Sequence, residues 1–483
     1  MRNKLLIIAL LFLVVRGLTI YVYEGTYYYY GMVANQFAIA EASYRGQSLS
    51  LDEVLVGAVF NAANQNQRYI PIEEWKDYPR SDAYTTFPAQ DVPGFGYLIA
   101  FTSQLFGDEL TSRYAFTLQV LLELVSILLF VYCVSLVFGQ RIAFISGLLY
   151  IFAYPFIWPV ASQPMRDIFV MGVYSFYLTA FFVFAEREGA RSFLMPIPLI
   201  VIAALLLWVR PSAYYFFFIS APLVLFLKNK DIKARAGFLL VTVLVPLFIF
   251  GLPLKAFNVR HYGVADTDML GRALWAGMGI IKDNPYVFVL DDGALVPWCK
   301  SRGYIVKYAS PEMNKILGDY ARDVIREDPE FYLRTVLVRA EEIVKGPLGV
   351  STPRSVGLEY KKSGISLLEY VSENRESVIF SALSLKSLLA DHRFGLLFFH
   401  LGWILSSVMF FTVKKDKRLA IAMLVLPLYY TLLTQLPLHF EARYLAAGAW
   451  VLILPFAWFV DTLVVSRVEL YLNHKSDLPR SIS

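Results

Sequence analysis

Charge is scarce in this chain: Asp, Glu, Lys and Arg make up 17% of 483 residues, while 57% are hydrophobic and the mean hydropathy is +0.53. That balance excludes a soluble domain and points to an all-α, polytopic membrane protein. The two cysteines, Cys133 within an apolar run and Cys299 in a polar stretch, exclude a disulfide framework or a zinc site. A glycine-rich phosphate loop is missing, so nucleotide-sugar binding is not expected. No internal repeat or low-complexity tract is present, and the apolar runs are nearly free of charge, with Arg16 and Glu123 the exceptions. Both features weigh against a transporter or flippase, which would show repeated halves and broken or charged spans.

What is present are apolar runs long enough for a hydrocarbon core of about 30 Å. They begin near Leu5, Tyr114, Ile142, Ile168, Phe193, Tyr214, Gly237, Phe394, Leu419 and Tyr444, which predicts about ten spans. The stretch around Arg210 and Pro211 is also compatible with a re-entrant pair. Basic residues alternate between connections. One set holds Arg2 and Lys4, Arg141, Arg187 and Arg191, Lys228 to Arg235, Lys414 to Arg418, and Arg467 to Arg480; the other short loops hold Arg166, Arg210 and Arg443. The basic set is expected to be cytoplasmic, with both termini, and the net charge of +5 then reflects loops facing anionic lipid rather than nucleic-acid binding. The amino-terminal run is read as a retained span, because Arg16 interrupts it and no small-residue cleavage pattern follows.

Three regions are expected: a membrane module over 1–254 with a first extracytoplasmic loop at 24–113, an extracytoplasmic and mostly helical cap at 255–393, and carboxy-terminal spans with a cytoplasmic tail over 394–483. In the first loop, Tyr27 to Tyr30 with Gly31, Ala34, Phe37 and Ala38 suggests a surface helix with aromatic rings at headgroup depth. Farther on, Asp91-Val92-Pro93-Gly94-Phe95-Gly96 reads as a turn feeding an amphipathic helix over 97–105. In the cap, Met313, Ile316, Leu317, Tyr320, Val324 and Ile325 mark a helical stripe, and Asp328-Pro329 breaks it before a second helix over 331–343. Asp266 and Asp268 are a candidate pair for a divalent cation.

Orientation gathers Glu24, Asp91, Arg166, Asp167, Arg210, Glu441 and Arg443 on one face, although they span more than four hundred positions. Each has a local reading as well: Glu24 and Asp91 as caps, Arg166 with Asp167 and Glu441 with Arg443 as self-neutralising pairs. Carboxylates and guanidinium groups at several boundaries, beside aromatic residues, suit transfer from a lipid-linked phosphate. Arginine offers a fixed fork for phosphate, and a carboxylate can deprotonate an incoming hydroxyl or amine.

The order of these features is similar to that of the C-type (GT-C) glycosyltransferases, in the bacterial and archaeal group of protein O-mannosyltransferases and aminoarabinose transferases. The features are a first span ending in Arg16, an acidic and tyrosine-rich helix, Pro-Gly-Phe-Gly-Tyr, Arg-Pro-Ser at 210–212, and Glu-Ala-Arg-Tyr at 441–444. The resemblance implies a GT-C-like fold, a polyprenyl-phosphate sugar donor, and an inverting transfer outside the cytoplasm to a glycan, lipid or protein. It implies a carboxylate base, for which Glu24, Asp91 and Asp167 are candidates. Arg443 would hold the donor phosphate, with Arg210, Arg166, Glu441 and Tyr444 around the substrate. Glu24 stands two residues earlier than the family's spacing to Tyr30 and Ala34 places the acid. A lipid-diphosphate glycan polymerase or ligase is the alternative, but such enzymes lack a long acidic loop after the first span.

Overall fold

The structure, a computed structural model, describes residues 1–23, 36, 39–40, 43–44, 92–106, 113–152, 166–188, 192–227, 230–262, 265, 270–281, 284–289, 294–306, 310–345, 405, 408–409, 411, 437 and 449–462. Apolar side chains dominate the helices, whose backbone groups are satisfied within each segment, as a bilayer demands. Among the described residues, Tyr114–Val137, Ile168–Glu186 and Ile232–Arg260 are long and apolar enough to cross a membrane; Gln140–Ile151, Ser192–Leu206 and Pro211–Phe226 are shorter apolar helices. The chain is an integral membrane protein.

α1 (Arg2–Tyr23), α3 (Arg113–Val137), α4 (Gln140–Phe152), α5 (Asp167–Glu186) and α6 (Ile197–Leu206) pack around one apolar core. α5 lies at its centre, with almost every side chain buried. Contacts define two ends of this bundle. At the basal end the amino terminus reaches Gln140 at 3.3 Å, Arg141 pairs with Asp461 at 2.5 Å, and Lys230 lies 5.4 Å from the Phe184 ring centroid. Asp461 directly follows α14 (Ala449–Val460), so that helix also ends there. The opposite, apical end holds the start of α5 and the finish of α6.

Between the ends, residues 197–226 form two short limbs around Arg210: α6 on one side, a 3-10 turn and α7 (Phe216–Ser220) on the other. Next, α8 (Ile232–Pro246) starts earlier than the apolar run suggests, because Asp231 accepts from the Ala234 N–H at 2.6 Å and caps it. It continues through a π turn, Leu247–Gly251, into α9 (Leu252–Tyr262), so helix runs past Lys255, where the second extracytoplasmic segment was expected to begin. The π turn lies between Pro246 and Pro253, and neither proline can donate to the helical ladder.

The cap has its own core. α10 (Leu270–Met278), α11 (Leu295–Ser301), α12 (Pro311–Glu327) and α13 (Pro329–Lys345) bury Trp275, Phe288, Met313, Leu317, Val324 and Phe331 together. The expected stripe packs inward, and the expected break falls at Asp328. Asp328 Oδ1 accepts from the Phe331 N–H at 2.9 Å and Oδ2 from the Tyr286 hydroxyl at 2.8 Å. These contacts, the backbone N–H first, hold its carboxyl below the ordinary aspartate range. A carboxyl lowered on folding stabilises fully above about pH 4 and loses that contribution as pH falls through the folded value. Amide protection in the first turn of α13, after correction for intrinsic exchange, should therefore fall below about pH 4, and Asp328→Asn should flatten that acid dependence.

Arg339 is fully buried in the cap and donates to the Gly277 carbonyl and, at 3.5 Å, to that of Pro437. Tyr332 donates to the same Pro437 oxygen at 2.9 Å. Burial pulls the Arg339 guanidinium down to about 10, with Tyr332 opposing, so it keeps its charge at neutral pH. Arg339→Met leaves the buried Gly277 carbonyl without this donor and is expected to cost about 1–3 kcal/mol, read as a lower unfolding midpoint. Tyr332→Phe, at an exposed bond, should change it far less.

Candidate functional site

The sequence Val92-Pro93-Gly94-Phe95-Gly96 folds at the apical end as a tight turn into α2 (Gly94–Phe106). The helix starts three residues earlier than expected, because the Gly94 N–H is taken up by the Trp208 carbonyl at 3.1 Å instead of remaining free. Glycine is required at that crossing: a Cβ on Gly94 would overlap the Trp208 carbonyl. At Gly96 a Cβ would meet the Gln36 backbone oxygen and the Ile39 side chain at 2.7 Å. On that side the Gln36 amide donates to the Val92 carbonyl at 3.2 Å and accepts from the Gly96 N–H at 2.8 Å. Between the two glycines, Phe95 is fully buried with its ring edge-on to Phe169 of α5, centroids 6.0 Å apart. Five residues thus tie together the first long loop, the start of α5 and the finish of α6.

Trp208 is the other half of this junction. Its indole N–H donates to the Ile249 carbonyl at 2.8 Å. That carbonyl sits four residues before Pro253, which has no N–H to complete the helical bond, so the indole supplies the missing donor. Arg210 follows in an extended conformation, φ −144°, as the residue before a proline prefers, and its side chain is half-buried. Tyr97, one residue beyond Gly96, lies edge-on to Phe257 of α9, so α9 reaches the same end. Burial raises the Tyr97 hydroxyl above its usual value, keeping it neutral.

Arg166 is buried immediately before α5, and Asp167 is the first residue of that helix. Deeper in the bundle, Arg16 and Glu123 form a fully buried ion pair, with Nε to Oε2 at 2.9 Å and Nη2 to Oε1 at 2.5 Å. The Tyr150 hydroxyl donates to Glu123 Oε1 at 2.9 Å and lies 3.4 Å from the Met171 sulfur. Met171 is four residues into α5, so this cluster lies about 6 Å along the axis below Asp167.

Of the residues expected to form the site, Arg166, Asp167 and Arg210 lie on elements that meet the Val92–Gly96 turn. Glu24, Asp91, Glu441, Arg443 and Tyr444 lie outside the described residues, as do Asp266 and Asp268. Asp91 directly precedes Val92 in sequence, and Glu24 directly follows α1. Cys133 and Cys299 are both free, and both are buried, Cys299 included although it stands in a polar stretch of sequence. Sequence reasoning missed Gln36 and Trp208, and noted Arg16 and Glu123 without pairing them. Two opposite charges, each alone in an apolar run, were the available signal for that pair.

No family profile matches this sequence, and no curated protein sequence does. Two solved structures are similar: ArnT from Cupriavidus metallidurans in the apo state, at 14% identity and TM-score 0.35, and the same protein bound to undecaprenyl phosphate, at 12% and 0.32. Each alignment covers 93% of this chain and 76% of the other. Likeness at those scores establishes neither fold nor activity for this chain.

Proposed function

We propose that this protein is a membrane glycosyltransferase that moves a sugar from a polyprenyl-phosphate donor to an acceptor outside the cytoplasm. The observation that carries this reading is the Val92–Gly96 junction, which draws the elements bearing Arg166, Asp167 and Arg210 to one end of an apolar bundle. Asp91 is adjacent to that junction in sequence. α14 runs from the basal Asp461 back toward Ala449, six residues after Arg443, which is consistent with Arg443 serving the same end.

In this mechanism a carboxylate, from Glu24, Asp91 or Asp167, takes the proton of an acceptor hydroxyl or amine. The freed nucleophile attacks the sugar anomeric carbon as its bond to the phosphate oxygen breaks, with inversion. The electron pair leaves on the lipid phosphate, which Arg443 and Arg210 hold through planar, charge-assisted forks. Arg166 fits the same task. It stands buried immediately before α5. Glu441 and Tyr444 border the donor, the polyprenyl tail stays among lipid chains, and the divalent-cation reading of Asp266 and Asp268 remains a secondary proposal.

The test is to incubate purified protein with polyprenyl-phosphate sugars and acceptor-bearing membranes and to follow loss of sugar from the lipid. Sugar should leave the carrier only when protein is present. Arg443→Ala should weaken binding of the lipid phosphate about ten- to a hundredfold without lowering the unfolding midpoint. Unchanged affinity removes that role, and absence of transfer from any such donor removes the reading.

A further inference from the structure

We propose that Gln36 is a positioning residue for this reaction: its side-chain amide clasps both ends of the Val92–Gly96 turn and so fixes the chain on which Asp91 stands. This rests on the transferase reading and extends it to an uncharged residue. Gln36 is fully buried and uses both halves of its amide, Nε2 donating to the Val92 carbonyl at 3.2 Å and Oε1 accepting from the Gly96 N–H at 2.8 Å. Those two backbone groups bracket the turn. Neither has a helical partner, since Val92 precedes α2 and Gly96 lies in its first turn. A buried amide that satisfies two such groups costs little where it is and much to replace, because an aliphatic side chain leaves both unpaired.

The clasp also couples two parts of the first loop. Gln36, Ile39 and Ala40 are helical and buried, and Gly96 packs directly against the Gln36 backbone and Ile39. Gln36 with its neighbours Ile39 and Ala40, and the Val92–Gly96 turn, are therefore held in one register by a single side chain. On the other flank Gly94 binds Trp208, two residues before Arg210. A shift of the turn moves the Asp91 chain relative to the Arg210 chain, and a displacement of about 1 Å in a catalytic constellation costs up to a hundredfold in rate.

Gln36→Glu gives a readout that a merely structural residue would not. A protonated carboxyl donates and accepts as the amide does; an ionised one only accepts and repels the Val92 carbonyl. The ionisable groups carried at this end by the described elements are Tyr97 of α2, Arg166 and Asp167 at the start of α5, Arg210, and Lys255, Arg260, His261 and Tyr262 of α9, whose Phe257 packs with Tyr97 against Ile39. Relative to wild type, Gln36→Glu should transfer sugar about 10- to 100-fold more slowly near pH 8 and recover toward parity near pH 5, with kcat rather than KM carrying the change. Gln36→Leu should be slow at both. Amide exchange of the peptide containing Val92 and Gly96 should follow the same pattern: faster than wild type in Gln36→Leu, and faster near pH 8 than near pH 5 in Gln36→Glu after correction for intrinsic exchange. A Gln36→Glu to wild-type activity ratio independent of pH, or wild-type protection of that peptide in Gln36→Leu, overturns the proposal. If wild-type protein consumes no lipid-phosphate sugar, the transferase reading falls instead, and the exchange measurement still decides whether the clasp holds the turn.

Discussion

Glu123→Ala should destabilise the protein by about 3–5 kcal/mol. The substitution leaves Arg16 fully buried beside apolar neighbours from α1, α3 and α4, after removing the carboxylate that accepts its Nε and Nη2 donors at 2.9 and 2.5 Å. The Tyr150 hydroxyl loses its bond to Glu123 Oε1 at the same time. A buried guanidinium that loses the carboxylate held by its Nε and Nη2 is costly in any protein interior, and lipid around the bundle offers little water to relieve the loss. The ion pair itself adds little net stability, because both charges had to be stripped of water to form it. The double variant Arg16→Leu with Glu123→Leu should therefore melt closer to wild type than either single one. Unfolding midpoints in detergent decide the matter. A Glu123→Ala protein as stable as wild type means that Arg16 is not confined where the structure puts it.

The second large effect concerns turnover. A general base contributes about 10²–10⁴-fold to a transfer of this kind. Among Glu24→Gln, Asp91→Asn and Asp167→Asn, one variant is expected to lose sugar transfer by that factor while its unfolding midpoint and its affinity for the lipid phosphate stay at wild-type values. The three residues follow α1, precede the Val92–Gly96 turn and open α5, respectively, so the series also tests which element presents the base. The remaining two should show only modest changes, as residues that shape the local field. Near-normal transfer by all three contradicts the assignment of the base to these carboxylates, whatever the donor proves to be.

Much of the architecture was legible because it depends on local pattern. Apolar runs foretold α1, α3, α4 and α5, and the stripe from Met313 to Ile325 foretold α12 because those side chains bury against neighbours in their own unit. Asp328-Pro329 foretold the break for a chemical reason: the aspartate caps and the proline cannot continue the ladder. Other features depend on partners distant in sequence. Arg16 and Glu123 are 107 positions apart, Gln36 and Gly96 are 60 apart, and no periodicity links them. The early start of α2 reflects the Trp208 carbonyl rather than anything in the helix itself. The persistence of α8 through two prolines into α9 needed a π turn and an outside donor, the Trp208 indole, neither of which composition reveals. For the site, residue types and their order along the chain were readable, while the glycine and amide contacts that bring the segments together were not.

The central claim is that chemical groups far apart in the chain share one pocket at the apical end of the bundle. It is tested most directly by pairing Asp91→Cys with Arg443→Cys and treating the protein in membranes with a short bismaleimide, since both native cysteines are buried and free. The account predicts efficient cross-linking of this pair, and none when Asp91→Cys is paired with Asp461→Cys at the basal end. Equal cross-linking of both pairs, or none for Asp91→Cys with Arg443→Cys while each cysteine alone reacts with a monofunctional maleimide, would contradict it.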